Sequence, residues 1–104
     1  GLWHIPGGTV HYGETVEAAV GRIALEETGT PVNIKKLIGY IEYPSEQEQR
    51  GFGWSVGLAF FCEIVVSISE SILVEHDLQF FSQLPNNLVE EQRDILEKVL
   101  ANEV

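Results

Sequence analysis

The sequence predicts a single α/β domain, and three features carry that expectation. A capped amphipathic helix follows a glycine-rich loop, two runs of β-forming residues occupy the middle, and a second amphipathic helix closes the chain. With 104 residues and 44 % hydrophobic composition, the chain can build one hydrophobic core but not two. Residues 1–104 are therefore read as one domain.

Residues 2–5, Leu-Trp-His-Ile, alternate as a short strand that Pro6-Gly7-Gly8 stops, since glycine admits backbone angles closed to other residues. The loop continues to Gly13. Thr15 is placed to cap a helix running to Thr28, with Gly29 as its C-terminal stop. Residues 34–43 are rich in β-formers and predict a strand, and a polar loop covers 44–51.

Residues 52–64 predict a longer strand in which Phe52, Trp54, Val56, Leu58, Phe60 and Cys62 alternate with Gly53, Ser55, Gly57 and Ala59. One face is bulky and the other nearly bare. A bare face packs closely on a helix or sheet, or else it lines a ligand cavity. Residues 79–82 predict a short strand, and 88–101 a helix with Leu88, Ile95, Leu96 and Val99 on one side.

Charge narrows the partners. Six basic residues against 16 acidic ones leave a net charge of −10, which repels a nucleic-acid backbone, so a DNA or RNA polymer is excluded as a partner. A small phosphate compound would need a cation between itself and the protein's carboxylates. The longest apolar stretch, 56–66, is broken by Glu63 and falls short of the roughly 20 residues a membrane span needs. A lone cysteine, Cys62, and the absence of a signal-peptide pattern favour a reducing, cytoplasmic setting.

On a helical wheel Val16, Ala19, Val20, Ile23 and Ala24 share one apolar arc, with Glu27 near its middle and Glu26 on its edge. A carboxylate aimed at a packed face is costly unless neutralised. Arg22 or a metal ion could neutralise Glu27. Otherwise the helix end frays and Glu27 turns to water.

The spacing around this helix is distinctive. Gly8, Glu14, Arg22, Glu26, Glu27 and Gly29 fill six of the nine defined slots of the Nudix box (Gly, any five, Glu, any seven, Arg-Glu-aliphatic-any-Glu-Glu-any-Gly-aliphatic). At ordinary residue abundances that match arises by chance on the order of once in several thousand such chains. The lead-in Trp3-His4-Ile5-Pro6-Gly7-Gly8 also resembles the family's, so the chain is identified as a Nudix relative.

The resemblance implies a Nudix-type α/β/α sandwich with a mixed sheet, the box helix on one face and the 88–101 helix on the other. It implies that the carbonyl of Gly7 and the carboxylates of Glu26 and Glu27 surround Mg²⁺ or Mn²⁺. An all-oxygen set suits a hard cation that also bridges phosphates. Gly8, Glu14, Arg22 and Gly29 would support the box, with Glu14 and Arg22 pinning loop to helix. Family members carry about two strands ahead of the box, so the N-terminal strands are expected to be missing from this chain. A small nucleotide substrate and a homodimer are further family expectations.

Three slots depart. Ile23 stands where a glutamate that binds a further metal or activates water is usual, Ala24 is a small aliphatic, and Thr30 replaces the closing aliphatic. An apolar residue after the arginine resembles the GDP-mannose hydrolase branch, which cleaves at the sugar carbon and draws a histidine base from a later loop. By that alignment Glu75 is a third side-chain ligand and His76 the general base, although Glu75-His76-Asp77 also reads as ordinary surface decoration. His4, His11, Tyr12, Tyr43 and Trp54 default to packing or surface roles. The expected function is divalent-metal-dependent hydrolysis of a nucleoside diphosphate derivative, of the NDP-sugar or ADP-ribose type. The alternatives are a metal-binding nucleotide sensor without turnover, or hydrolysis by attack at the sugar carbon.

Overall fold

The computed structural model describes residues 1–44 and 55–103. In order they form helix α1 (Val16–Thr28), strands β1 (Val32–Tyr43) and β2 (Ser55–Ile64), helix α2 (Glu70–Glu75), a 3-10 turn (Glu90–Gln92) and helix α3 (Arg93–Leu100). Phe52 and Trp54, expected at the start of the second strand, lie outside the described residues, as does most of the expected 44–51 loop. The chain divides into two units: Ile5–Lys35 with Cys62–Phe81, and Gly1–His4 with Lys36–Phe61 and Ser82–Val104.

In the first unit α1 begins and ends where its caps predict. Thr15 Oγ1 accepts from Ala18 N–H at 3.1 Å, and Gly29, at φ 70°, donates its N–H to Leu25 O at 2.9 Å. That left-handed angle is the one a glycine stop supplies at little cost. Ala19 and Ala24 are buried, while Val20, Ile23 and Glu27 are half-buried. The apolar arc of the wheel is thus the packed one from Ala19 onward, with Val16 exposed. Helix α2 was not foreseen: Ser69 caps it by accepting from Ile72 N–H at 3.3 Å, and Asp77, at φ 53°, ends it.

β1 and β2 are hydrogen-bonded neighbours. Lys35 meets Glu63 at 3.8 Å and Tyr43 meets Gly57, so positions rising along one strand face positions falling along the other. The pairing is antiparallel.

In the second unit the bare face of β2 turns out to be a packed one. Ala59 is buried, and a Cβ on Gly57 would come within 3.2 Å of the Tyr43 ring. Opposite Gly39, Ile95 of α3 approaches so closely that a Cβ there would lie 3.1 Å from its Cδ1. Gln92, also buried, donates from Nε2 to Tyr43 Oη at 3.1 Å. Ile41, Ala59, Leu88 and Ile95 form this unit's buried core.

Three expected elements change. Residues 79–82 form no strand, and Phe80 and Phe81 stay exposed, because a strand exists only where another supplies ladder hydrogen bonds. The strand at 2–5 contracts to one parallel bridge between Trp3 and Leu88, with Trp3 N–H on Asn87 O at 2.8 Å and Val89 N–H on Trp3 O at 2.9 Å. That bridge takes Leu88 out of the closing helix, which starts with the 3-10 turn and becomes α-helical at Arg93. Among the described residues no helix is long and apolar enough to cross a membrane.

Candidate functional site

The box residues gather where the loop 6–13 meets α1. Arg22 is the organising cation: Nε donates to Glu14 Oε2 at 2.8 Å and Nη2 to Glu14 Oε1 at 3.0 Å, the two-pronged geometry that makes arginine–carboxylate pairs strong. Nη2 also reaches Thr9 O at 2.6 Å, and Nη1 lies 3.2 Å from both oxygens of Glu26. Glu14 in turn accepts from His11 N–H at 3.0 Å. Loop and helix are therefore tied at Thr9 and Glu14 through one guanidinium.

This network sets the local electrostatics. The Arg22 hydrogen bonds, helped by the His11 amide, hold the Glu14 carboxyl down at about 2, and Glu14 and Glu26 raise the guanidinium still further above its ordinary value. Both members of the central pair are charged across the whole range of physiological pH. The side chains of Arg22 and Glu14 are 24 % and 17 % exposed, against 60 % for Glu26, so the Glu14 contact is the shielded anchor and the Glu26 contact the open one.

Glu27 does not turn out to water. It is half-buried, and Gly7 N–H points to its Oε1 at 3.5 Å. Gly7 and Glu27 are thus neighbours, with the Gly7 amide and not its carbonyl turned to the carboxylate. Glu26 takes Arg22, and Glu75 is exposed on α2. Among the described residues no group of three or more His, Cys, Asp or Glu side chains is gathered to hold an ion.

The donor chemistry nevertheless fits a hard divalent cation. Mg²⁺ is commonly bound by one or two carboxylates plus substrate phosphates, keeping several waters, rather than by a complete protein cage. Glu27, with one long hydrogen bond on one oxygen, has most of its lone-pair capacity open, and Glu26 lies beside it with its charge already offset by Arg22.

Two contacts of the box glycines were not legible in the sequence. A Cβ on Gly8 would lie 2.9 Å from Ile23 Cγ1, so Ile23 packs directly on the loop. A Cβ on Gly29 would lie 2.6 Å from His76 Nε2, so the imidazole rests on the stop of α1. The only sequence signal for either was that both positions are glycine.

The model of the NUDIX domain family matches residues 1–77. The chain belongs to the Nudix family. Its fold is accordingly a Nudix-type α/β fold. A Caenorhabditis elegans protein named "Putative nudix hydrolase 1" is 38 % identical over 62 % of this chain and 15 % of its own length. The ADP-ribose pyrophosphatase of Methanocaldococcus jannaschii is 35 % identical over 62 % of this chain and 37 % of its own. The "Putative 8-oxo-dGTP diphosphatase" of Bacillus subtilis is 41 % identical over 47 % and 33 %. The chain thus spans well under half the length of these Nudix relatives, whose names cover different nucleotide substrates. No solved structure matches it. Nudix hydrolases generally use divalent metal ions.

Proposed function

We propose that this chain carries the box of a Mg²⁺- or Mn²⁺-dependent hydrolase acting on a nucleoside diphosphate derivative, of the ADP-ribose or NDP-sugar type. The observation that carries the reading is the placement of Glu26 and Glu27 on one helical turn beside a loop that Arg22 holds at Thr9 and Glu14. In this reading Glu26, Glu27, the Gly7 backbone and Glu75 hold the cation, and Gly8, Glu14, Arg22 and Gly29 support them. The cation supplies charge neutralisation at the diphosphate and polarises its phosphoryl oxygens. The archaeal relative named for ADP-ribose supports the substrate class. A net charge of −10 favours a cation between the protein's carboxylates and a diphosphate. The cytoplasmic setting, supported by the single thiol Cys62, and a homodimer complete the reading.

A second reading has one observation in its favour. Ile23 is packed on Gly8, so the slot of a usual acidic helper is filled by hydrocarbon, which supports a sensor that binds nucleotide without cleaving it. Product release from a panel of ADP-ribose, NDP-sugars and nucleoside triphosphates, with and without Mg²⁺, separates the two in the intact protein. Metal-dependent turnover of the diphosphate derivatives is expected. Glu27→Gln should lower it by at least the ~10–100-fold that losses in the shell around a metal cost. Tight nucleotide binding with no turnover would replace the hydrolase by the sensor.

A further inference from the structure

Helix α1 carries two of its three carboxylates at the wrong end. Glu26 and Glu27 sit in the last turn, no basic residue shares that turn, and the C-terminal end of a helix already bears partial negative charge from its unpaired carbonyls. Such an end frays unless something holds it. Thr28 Oγ1 donates to Ala24 O at 2.6 Å, which braces the turn from within. Arg22 reaches forward only to Glu26, the more exposed of the two. Beyond Glu27 the chain turns at Gly29.

There the structure supplies an external brace. His76 follows α2, its own N–H bonded to Ile72 O at 3.0 Å, and Leu78 N–H returns to Leu73 O at 2.8 Å to close the turn. This fixes the backbone that carries the imidazole. The ring then lies over Gly29, with Nε2, Cδ2 and Cε1 at 2.6, 3.1 and 3.3 Å from where a Cβ would stand. Only a residue without a side chain leaves that notch.

We propose that His76 is a positioning residue, an imidazole seated in the Gly29 notch that clamps the carboxylate-bearing end of α1 and so keeps Glu27 directed at the Gly7 amide. Its consequence for a metal rests on the function proposed above, whereas the clamp itself does not. The assignment differs from that of a general base, because it uses the ring as a packing wedge with Nε2 turned toward Gly29.

Two readouts on the intact protein test it: amide hydrogen exchange at Thr28 and Gly29, and Mn²⁺ titration followed by electron paramagnetic resonance in the absence of nucleotide. His76→Ala should speed exchange at Gly29 and weaken Mn²⁺ binding about tenfold, in line with losses of groups that orient metal ligands. His76→Gln, whose amide extends about as far as Nε2, should restore most of both. His76→Asn, one bond shorter, should not, and this pair carries the comparison if the alanine variant fails to fold. Unchanged exchange in His76→Ala, or equal behaviour of Gln and Asn, would overturn the clamp. So would loss of turnover in every variant with wild-type Mn²⁺ affinity, which is the signature of a base. A wild-type protein that binds no Mn²⁺ would sink the metal reading, and the exchange comparison would still decide the clamp.

Discussion

Arg22 grips Glu14 with two near-parallel hydrogen bonds, Nε to Oε2 at 2.8 Å and Nη2 to Oε1 at 3.0 Å. The grip makes stability depend on pH in a definite window. The Glu14 carboxyl falls from its ordinary 4.5 to about 2, so the folded state holds this proton less readily than the unfolded chain. The stabilisation is fully present above the ordinary value and is lost as pH falls through the folded one. Urea unfolding of the wild type and Glu14→Gln should differ at pH 6 and converge as pH approaches 2. A difference that stays constant over that interval would show the pair to be energetically idle.

Thr30 is 4 % exposed, and its hydroxyl has no hydrogen-bond partner. A buried unsatisfied polar group costs about 1–3 kcal/mol, and an apolar group of the same shape removes the cost. Thr30→Val should therefore stabilise the protein by about 1 kcal/mol in the same unfolding assay. It also restores an aliphatic residue to the last slot of the box. A loss of stability instead would mean that the hydroxyl has a partner in solution.

Two glycines of one helix should respond oppositely to alanine. Around Gly21, inside α1, nothing lies within 4 Å of the added Cβ, and Gly21→Ala should gain about 0.5–1 kcal/mol from helix propensity and a stiffer unfolded chain. At Gly29 the backbone sits at φ 70° and the Cβ meets His76. Gly29→Ala should lose more than the ~1–2 kcal/mol of left-handed backbone strain alone. Thermal melts of the two variants should bracket the wild type.

Which bond breaks is open to isotope. Glu26 and Glu27 are both present, which favours attack on phosphorus; Ile23 and the Glu75-His76 pair resemble the branch that attacks the sugar carbon. Hydrolysis in ¹⁸O-water is expected to label a phosphate product. Label found only on the released sugar would move the reaction to carbon.

The sequence spoke clearly wherever structure is local. Thr15 and Gly29 fixed both ends of α1 because capping involves a few adjacent residues, and β1 was located to within two residues of its start. It was silent where structure depends on distant partners. Nothing near Phe80 and Phe81 shows that no strand will pair with them, and nothing near Leu88 announces Trp3. Helix α2 was missed because six residues are too few to display a helical period. At the site, residue types and spacing pointed to an Arg22–Glu14 pair, which the structure contains, whereas the second grip of Arg22 on Glu26 was not foreseen. That Glu27 would meet Gly7 through its amide, and that His76 would lie on Gly29, depend on loop paths that no pattern encodes.

The contact between Ile23 and Gly8 also limits what the box can accept at position 23. A glutamate at position 23 would strip the loop of its hydrocarbon support and set a third negative charge beside Glu26 and Glu27, so the exchange is opposed by packing and by charge together. Ile23 is therefore held in place by its surroundings, and an acidic side chain fits that slot only where the loop is supported by something else.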